Sequence, residues 1–508
     1  MPVAADELGL FTTARTDPDR TAVVDVAGRA VSFAQLAERA NQLSHAFRSL
    51  GLRPGDCVAA VVHNGLPFFE LRLATWQSGL YFTPINHHLA EPEIGYVVAN
   101  CEAGVVVVDA ALTARCGPVL EAAGIQRFAV GGAPGWRDYE ELFHGQPSTE
   151  PPDRTAGELM LYTSGTTGRP KGVRRALTGR EPQVPPHYLD FMARLDIVPG
   201  RGLHLVLSPL HHAAPGAFAF VGLNFGHTVV LSDRATPEQV LQLVEEHRVT
   251  STFTVPTVLH RLLRLPAEVR ERYNTSSLRS VVHAGAPCPV EVKHRCIEWL
   301  GPVLTEFYGA TEGSVTAVRS SEWLTRPGTV GYPLSAAEVR ILDEQGEPLP
   351  AGEVGAVYFR SGITGFEYFK DPDKTAAARH GDLITVGDVG YLDEEGWLFL
   401  CDRRTDLILS GGVNIYPAEV EAALLAHPEV ADAAVIGVPD EEWGQSVLGI
   451  VQPAPGTTGG LADRLAEHCR ERLAGFKVPR RIELVPDLPR TDTGKLLRRE
   501  LRASHWGG

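Results

Sequence analysis

The chain has 508 residues, of which 44% are hydrophobic and 21% charged, a composition typical of a globular protein with several domains. Its formal net charge of −15 argues against a general nucleic-acid binder, which needs a basic face. No apolar run approaches the roughly 20 residues that cross a bilayer, no secretory signal is evident, and the seven cysteines form no C-x-x-C pair. We therefore expect a cytoplasmic protein with neither a transmembrane segment nor a zinc framework.

Strand and helix patterns alternate through the first 130 residues. Residues 32–50 form an amphipathic helix pattern that begins with the capping-box spacing of Ser32 and Gln35 and ends at Gly51. Further elements follow in the order strand 57–62, helix 66–79, strand 81–84, a helix after Pro92, strand 105–108 and helix 111–123. Because the strands are almost continuously apolar, the alternation predicts a parallel sheet that is covered on both faces.

A second series of strands begins after residue 200, and several of its members lead into a polar or glycine-rich loop. The predicted strands are 203–207, 229–231, 252–255, 280–283 and 303–307. Ligands of open α/β sheets bind at the carboxyl ends of the strands, so we expect these loops to converge on one crevice.

The sequence pattern changes again near residue 336, where short predicted strands separated by turn residues indicate an antiparallel, barrel-like region. Beyond Arg403 helices and strands are mixed, which predicts an N-terminal domain over residues 1–403 and a C-terminal domain over 404–508. The predicted fold class is α/β. Two doubly wound sheets and a barrel-like subdomain form the large N-terminal domain, and a small α+β domain follows it.

The stretch from 158 to 173 carries the clearest chemical signal. The apolar run 159–162 predicts a short buried strand, and the loop that follows it combines hydroxyl residues, glycines and Lys171. Such a loop is suited to phosphate, because glycines let the backbone approach an anion while hydroxyls and lysine donate hydrogen bonds. It is not the P-loop of NTPases, since Lys171 does not directly follow Gly168 and is followed by a glycine. A flexible polar linker is the alternative, but a linker needs no preceding strand.

Residues 162–172, Tyr-Thr-Ser-Gly-Thr-Thr-Gly-Arg-Pro-Lys-Gly, closely resemble the signature of adenylate-forming enzymes, which include acyl-CoA synthetases, peptide-synthetase adenylation domains and luciferases. The resemblance implies that a carboxylic acid is activated by ATP and Mg²⁺ to an acyl-AMP, with release of pyrophosphate, and that the acyl group then passes to a thiol. It assigns the ATP phosphates to Lys171 and the loop, with Thr166 also at the metal. The implied loop residues are Thr163, Ser164, Gly165, Thr166, Thr167 and Gly168.

Three further segments resemble nucleotide-binding motifs of this family. Residues 306–312, Glu-Phe-Tyr-Gly-Ala-Thr-Glu, imply that Tyr308 and Gly309 meet the adenine, Thr311 the α-phosphate and Glu312 the Mg²⁺. The adenine shelf is implied at Gly285, Ala286 and Pro287. Val386-Gly-Asp resembles a Thr-Gly-Asp element, departing from it at Val386, and implies that Asp388 binds the ribose together with Arg403.

Two residues are implied at the reacting carboxylate. His212 ends the segment Pro-Leu-His-His, which resembles a Pro-Leu-Phe-His element near the acyl group. Lys495 ends residues 489–495, which match the C-terminal lysine motif and imply a cation that bridges the carboxylate and the α-phosphate. A histidine that merely ends a strand and a solvated tail lysine are the structural alternatives.

The resemblance also implies that the C-terminal domain is mobile and rotates after adenylation to build a tunnel for the thiol. Gly411 and Gly412 resemble residues that line this tunnel, while Trp443 and Phe476 resemble surfaces that meet coenzyme A. The hinge position, charged in many relatives, is Thr405 in this chain.

The predicted function is therefore that of an acyl-CoA synthetase that uses ATP, Mg²⁺ and coenzyme A. Residues 213–220 carry no charge, whereas amino-acid-activating relatives have an aspartate there, so an acid with an uncharged, hydrophobic tail is the expected substrate. The small residues Ala213, Ala214, Gly216 and Gly309 are expected to leave room for a fatty or bulky acid. Two alternatives stay open: a ligase that passes its acyl-AMP to a carrier protein or partner enzyme, and a nucleotide-binding regulator without activity. The sequence leaves the acid and the formation of a homodimer undecided.

Overall fold

In the computed structural model, residues 8–121, 125–163, 170–362, 365–403, 405–491 and 494–506 are described, and they form five sheets flanked by helices. The predicted α/β class, with a large N-terminal domain of parallel sheets and a smaller C-terminal domain, is confirmed. Among these residues no helix is both long enough and apolar enough to cross a membrane.

The largest sheet, here called sheet I, has nine strands, and the six in its middle run parallel to one another. In spatial order its strands are Tyr332–Pro333, Gly313–Arg319, Leu304–Ala310, Ser280–His283, Ser251–Thr254, Leu203–Val206, Thr228–Leu231, Thr21–Val24 and Ala30–Ser32. Antiparallel strands at both edges close the series. The carboxyl ends of the central parallel strands therefore meet along one edge.

Sheet II is entirely parallel and is built from six strands. Its strands in spatial order are Arg137–Asp138, Gln126–Val130, Ala103–Asp109, Cys57–Val61, Tyr81–Pro84 and Glu158–Leu159. Val105 to Val108 are fully buried, as expected for a strand that is covered on both faces.

Helices fill the space between the two sheets and cover their outer faces. The α-helices are Leu10–Thr16, Phe33–Ser49, Leu66–Gln77, Glu91–Asn100, Thr113–Glu121, Pro186–Arg194, Ala213–Asn224, Pro237–His247, Pro256–Leu263, Ala267–Arg270, Val290–Leu300, Ser320–Trp323, Pro372–Ala377, Pro417–Leu425, Leu461–Arg472 and Arg498–His505. One hydrophobic core joins Val23 and Val206 of sheet I to Val58 of sheet II through Phe47 and Phe69 of the intervening helices. The predicted capping box of Ser32 and Gln35 is present, with both reciprocal hydrogen bonds.

The predicted strand 159–162 is interrupted at Met160. Glu158–Leu159 pairs with sheet II, whereas Leu161–Thr163 pairs with Lys171–Arg175 in a separate sheet. The third strand of this sheet is Phe366–Tyr368, and we call the three strands the phosphate sheet. The chain thus changes sheets immediately before the loop that was predicted to hold phosphate.

The region predicted to be barrel-like is an open antiparallel sheet. Its strands are Arg379–His380, Leu383–Ile384, Gly355–Arg360, Asp388–Leu392 and Leu398–Arg403, with Glu338–Leu342 also paired to Gly355–Arg360. The C-terminal sheet that follows contains Val413–Ile415, Ile408–Ser410, Gly444–Pro453, Val430–Asp440 and Arg481–Leu484. The division at residues 403 and 404 stays a prediction.

One predicted strand ends later than its sequence pattern indicated. The strand expected at 303–307 is Leu304–Ala310, so Tyr308 and Gly309 lie inside it instead of in a loop. It turns at Thr311 and Glu312 into the antiparallel strand Gly313–Arg319, which the sequence analysis did not predict. This hairpin places Thr311 and Glu312 at its tip.

Candidate active site

A cavity of about 880 Å³ lies where the central strands of sheet I end, and it brings together residues as far apart in the sequence as Leu159 and Lys495. Ten of the predicted site residues line it, namely Thr163, Lys171, His212, Gly285, Ala286, Gly309, Thr311, Glu312, Arg403 and Lys495. The predicted convergence of strand-end loops is therefore observed. The predicted phosphate and metal residues Ser164, Gly165, Thr166, Thr167 and Gly168 lie outside the described residues.

Two of the predicted nucleotide residues form a buried pair beside the cavity. The Tyr308 hydroxyl donates a hydrogen bond of 2.7 Å to Asp388 Oδ2, and Arg403 Nε lies 3.2 Å from Asp388 Oδ1. Burial raises the pKa of Tyr308, with Asp388 adding to the effect, so this phenol stays protonated and donates. The aspartate predicted for the ribose is thus held between a neutral donor and a guanidinium.

Glu312 and Lys171 both contact a tyrosine that the sequence analysis did not single out. The Tyr368 hydroxyl donates a hydrogen bond of 2.7 Å to Glu312 Oε1, and Lys171 Nζ lies 4.9 Å from the centre of the Tyr368 ring. Tyr368 lines the cavity and is 8% exposed. Its strand pairs with the Lys171 strand across almost 200 residues of sequence, a distance over which local patterns carry no signal.

A second residue that sequence reasoning missed is Arg175, which ends the Lys171 strand and also lines the cavity. It donates a hydrogen bond of 2.7 Å from its guanidinium to the Thr311 carbonyl and so supports the hairpin tip. The spacing of Lys171, Val173 and Arg175 at every second position places them on one face of a strand, and this spacing was the signal in the sequence that could have predicted Arg175 as a site residue.

Lys495 enters the cavity from the C-terminal domain. Its amide donates to Thr491 Oγ1 at 3.0 Å and its carbonyl accepts from the Thr491 amide at 2.8 Å, while Arg490 donates to the Gly494 carbonyl. The Lys495 side chain is open to solvent through the cavity. Desolvation by the cavity walls nevertheless lowers the pKa of Lys495 to about 8, and repulsion from Arg403 is a second cause. This ammonium therefore titrates within the range of ordinary assay buffers.

His212 occupies the N-cap position of the helix Ala213–Asn224 without a capping hydrogen bond from its side chain, and this helix lines the apolar part of the cavity. Ala213, Ala214 and Gly309 were expected to leave room for a bulky acid, and all three line the cavity. Gly216 was also expected to do so, but it does not line the cavity. A Cβ atom at Gly216 would lie 2.5 Å from the Leu210 carbonyl oxygen, so its small size lets the helix approach the backbone.

Phenylalanine rings form the remaining apolar wall. Phe191 and Phe307 are 5.3 Å apart in an edge-to-face arrangement, and Phe218 stacks on Phe253 at 5.4 Å. These packings are the preferred ones for aromatic rings, which gives the wall a defined shape.

The residues predicted to meet coenzyme A do not line the cavity. Trp443 covers Gly411, where an added Cβ atom would lie 2.5 Å from the indole, and Arg480 lies over the same ring at 5.2 Å. Trp443 is 39% exposed and Phe476 53% exposed on the C-terminal domain. Gly412 lies beside Gly411 at the tip of the exposed hairpin, and Pro287 on the N-terminal domain is also outside the cavity lining.

Known proteins resemble the chain over nearly its whole length. A feruloyl-CoA synthase from Amycolatopsis sp is 35% identical over 496 residues, covering 96% of each chain. The fatty acid–[acyl-carrier-protein] ligase ScoC from Streptomyces coeruleorubidus is 32% identical and covers 97% of this chain and 95% of its own. The solved structure of the amide bond synthetase McbA from Marinactinospora thermotolerans superposes with a TM-score of 0.81 at 31% identity, covering 95% and 96% of the two chains.

The chain also matches two known protein families. Residues 10–369 match the AMP-binding enzymes, and residues 419–495 match the AMP-binding enzyme C-terminal domain. The first match alone spans more than half of the chain and contains the phosphate sheet, the adenine shelf and the hairpin tip. The chain therefore belongs to the AMP-binding family of adenylate-forming enzymes.

Proposed function

We propose that the chain is an acyl-CoA synthetase that activates a hydrophobic, aromatic or fatty, carboxylic acid with ATP and transfers the acyl group to coenzyme A. The observation that carries this proposal is the meeting of Lys171, Glu312 and Lys495 in one cavity that also has an apolar wall of phenylalanine rings and alanines. Two cations and a carboxylate suit a nucleotide triphosphate, and rings and alanines suit the tail of an acid without charge.

Adenylation would begin with the acid carboxylate between Lys495 and the α-phosphate. A carboxylate oxygen attacks the α-phosphorus, the new P–O bond forms, and the bond to pyrophosphate breaks. Lys495 stabilises charge at the reacting centre, whereas Thr163 and Lys171 hold the departing phosphates. Lys495 and Lys171 thus act on opposite sides of the bond that breaks.

The Glu312 carboxylate fits a magnesium ion, because it is a hard oxygen donor at the hairpin tip and lines the cavity. When bound there, Mg²⁺ would neutralise charge on the phosphate oxygens. Tyr308, Asp388 and Arg403 would hold the nucleoside, the first through its ring and the other two at the ribose.

Transfer to coenzyme A would need a different arrangement of the C-terminal domain. Lys495 reaches into the cavity, whereas Gly411, Trp443 and Phe476 lie outside its lining. After rotation, the thiol sulfur would attack the acyl carbonyl, the bond to AMP would break, and the thiol proton would leave to solvent. Because the rotation comes between adenylation and thiol attack, Lys495 and the thiol do not occupy the same space.

A second acceptor is favoured by the comparisons. One relative is named as a ligase for an acyl-carrier protein and one structural neighbour as an amide bond synthetase. A carrier protein or an amine is therefore the alternative acceptor.

The test is a panel of fatty and aromatic acids in the exchange of labelled pyrophosphate into ATP, followed by assays with coenzyme A, a carrier protein and simple amines. We expect acid-dependent exchange and consumption of coenzyme A with the same acid. Exchange without consumption of coenzyme A would contradict coenzyme A as the acceptor and favour a carrier protein or an amine. The absence of exchange with any acid would contradict adenylation.

A further inference from the structure

Tyr368 lies between the two groups to which the metal and the pyrophosphate are assigned. Its hydroxyl is 2.7 Å from Glu312 Oε1, and its ring centre is 4.9 Å from Lys171 Nζ. Because the side chain is 92% buried and lines the cavity, both contacts belong to the interior of the site. One side chain thus contacts an anion through its edge and a cation through its face.

The strand register explains how one tyrosine reaches both partners. Tyr368 pairs directly with Val173, and Lys171 is two residues earlier on the same strand, so both neighbours share one face of the phosphate sheet. Diagonal neighbours of this kind are within reach of aromatic and long side chains. The Tyr368 amide donates to Thr375 Oγ1 at 2.9 Å, which ties the strand to the helix Pro372–Ala377.

Each of the two contacts restricts the orientation of the group that Tyr368 touches. The phenol hydroxyl of Tyr368 is the donor and the Glu312 carboxylate the acceptor. A hydrogen bond to Oε1 restricts rotation of the carboxylate. The electron-rich ring face attracts an ammonium group and restricts where Lys171 can point.

We propose that Tyr368 is a positioning residue for the metal and pyrophosphate half of the site. Its hydroxyl fixes the Glu312 carboxylate so that Oε2 is the oxygen presented to Mg²⁺, and its ring holds the Lys171 ammonium toward the departing phosphates. This inference rests on the proposed use of ATP and Mg²⁺ and is independent of the acid and of the thiol acceptor.

The test compares Tyr368→Phe, which removes the hydroxyl alone, with Tyr368→Leu, which also removes the ring. Tyr358→Phe is the matched control, because Tyr358 packs on His380 in the antiparallel sheet and does not line the cavity. The measurement is the dissociation constant of ATP by calorimetry, once with Mg²⁺ and once with a chelator, in the absence of acid and coenzyme A. Melting temperatures of all variants show whether each one is folded.

We expect Tyr368→Phe to weaken Mg²⁺-ATP binding about tenfold and to leave metal-free ATP within twofold of the wild type, because one hydrogen bond to a charged ligand is lost. Tyr368→Leu should weaken both. If Tyr368→Phe changes neither constant, or changes both equally, the proposal is wrong. Should the leucine variant not fold, the phenylalanine variant still decides. A failure to form acyl-CoA leaves these binding constants unaffected, so a failure of acyl transfer is distinguished from a failure of the role proposed for Tyr368.

Discussion

The two lysines that line the cavity come from different domains and have different neighbours. Lys171 begins a strand of the phosphate sheet and is held against the Tyr368 ring. Lys495 comes from the other domain and lies near Arg403, where partial desolvation by the cavity walls and repulsion from Arg403 lower its pKa to about 8. An ordinary lysine has a pKa of about 10.4, so Lys495 is the cation whose charge depends on assay pH.

This pKa predicts the pH dependence of adenylation. In the proposed mechanism the charged form of Lys495 is the active one. The value of kcat/KM for ATP should then be flat below pH 8 and fall about tenfold per pH unit above it, since this parameter reports the free enzyme. The measurement is pyrophosphate exchange between pH 6.5 and 10. Lys495→Arg, which keeps its charge throughout, should lower the plateau but remove the alkaline decline. A wild-type profile that stays flat to pH 9.5 would contradict the assignment.

Among the helices and strands, sequence separation decided which features could be predicted. Features whose interacting residues are close in sequence were predicted, and those whose interacting residues are distant were missed. The capping box of Ser32 and Gln35 was predictable because its partners are three residues apart. The break at Met160 was not, since residues 158–163 are uniformly suited to a strand and only the packing of two sheets decides where the chain changes between them. The strand Phe366–Tyr368 was also missed, because its partner lies almost 200 residues earlier.

A buried ion pair fixes the strand that carries Tyr308. Lys293 on the helix Val290–Leu300 donates to Glu306 Oε2 at 2.5 Å, and both side chains are buried. Burial raises the pKa of Glu306, against the effect of Lys293. The pair therefore joins the helix to the strand Leu304–Ala310 in a region where a lone charge would be costly.

Replacing one partner of this pair should destabilise the protein more than replacing both. Lys293→Met is expected to lower the free energy of unfolding of the N-terminal domain by about 3–5 kcal/mol, because Glu306 is left buried without a counter-charge. The double variant Lys293→Met, Glu306→Leu should recover most of this loss. Trp323, whose ring lies 4.8 Å from Lys293 Nζ, provides a local fluorescence signal for denaturant unfolding. Equal losses in the single and double variants would show that the pair itself is not the cause.

At the scale of the whole molecule, the two domains meet at the lysine segment. Gly494 has a φ of +78°, and an added Cβ atom would lie 2.5 Å from Thr257 Oγ1 on the N-terminal domain. The backbone next to Lys495 therefore approaches the helix Pro256–Leu263 more closely than a side chain would allow. The motif around Lys495 could be recognised in the sequence, but the surface it meets could not, because Thr257 belongs to no motif.

Gly494→Ala should consequently impair adenylation in this domain arrangement. We expect pyrophosphate exchange to fall about tenfold and to recover about threefold when Thr257→Ala removes the clashing oxygen, a coupling that a double-mutant cycle isolates. Gly456→Ala is the control, because Gly456 has a similar φ of +83° with no atom within 4 Å of an added Cβ atom. An equal loss in the Gly456 variant, or no recovery with Thr257→Ala, would attribute the effect to backbone strain alone.

The central claim is that Lys495 serves the reacting centre and not the binding of ATP. The most direct measurement compares acid-dependent pyrophosphate exchange with the dissociation constant of Mg²⁺-ATP in Lys495→Ala, with Lys477→Ala as a control. Lys477 lies on the C-terminal domain, pairs with Glu419 and does not line the cavity. We expect exchange to fall at least about 100-fold in Lys495→Ala while ATP binds within threefold of the wild type. Unchanged exchange, or a loss of ATP binding as large as the loss of exchange, would contradict it.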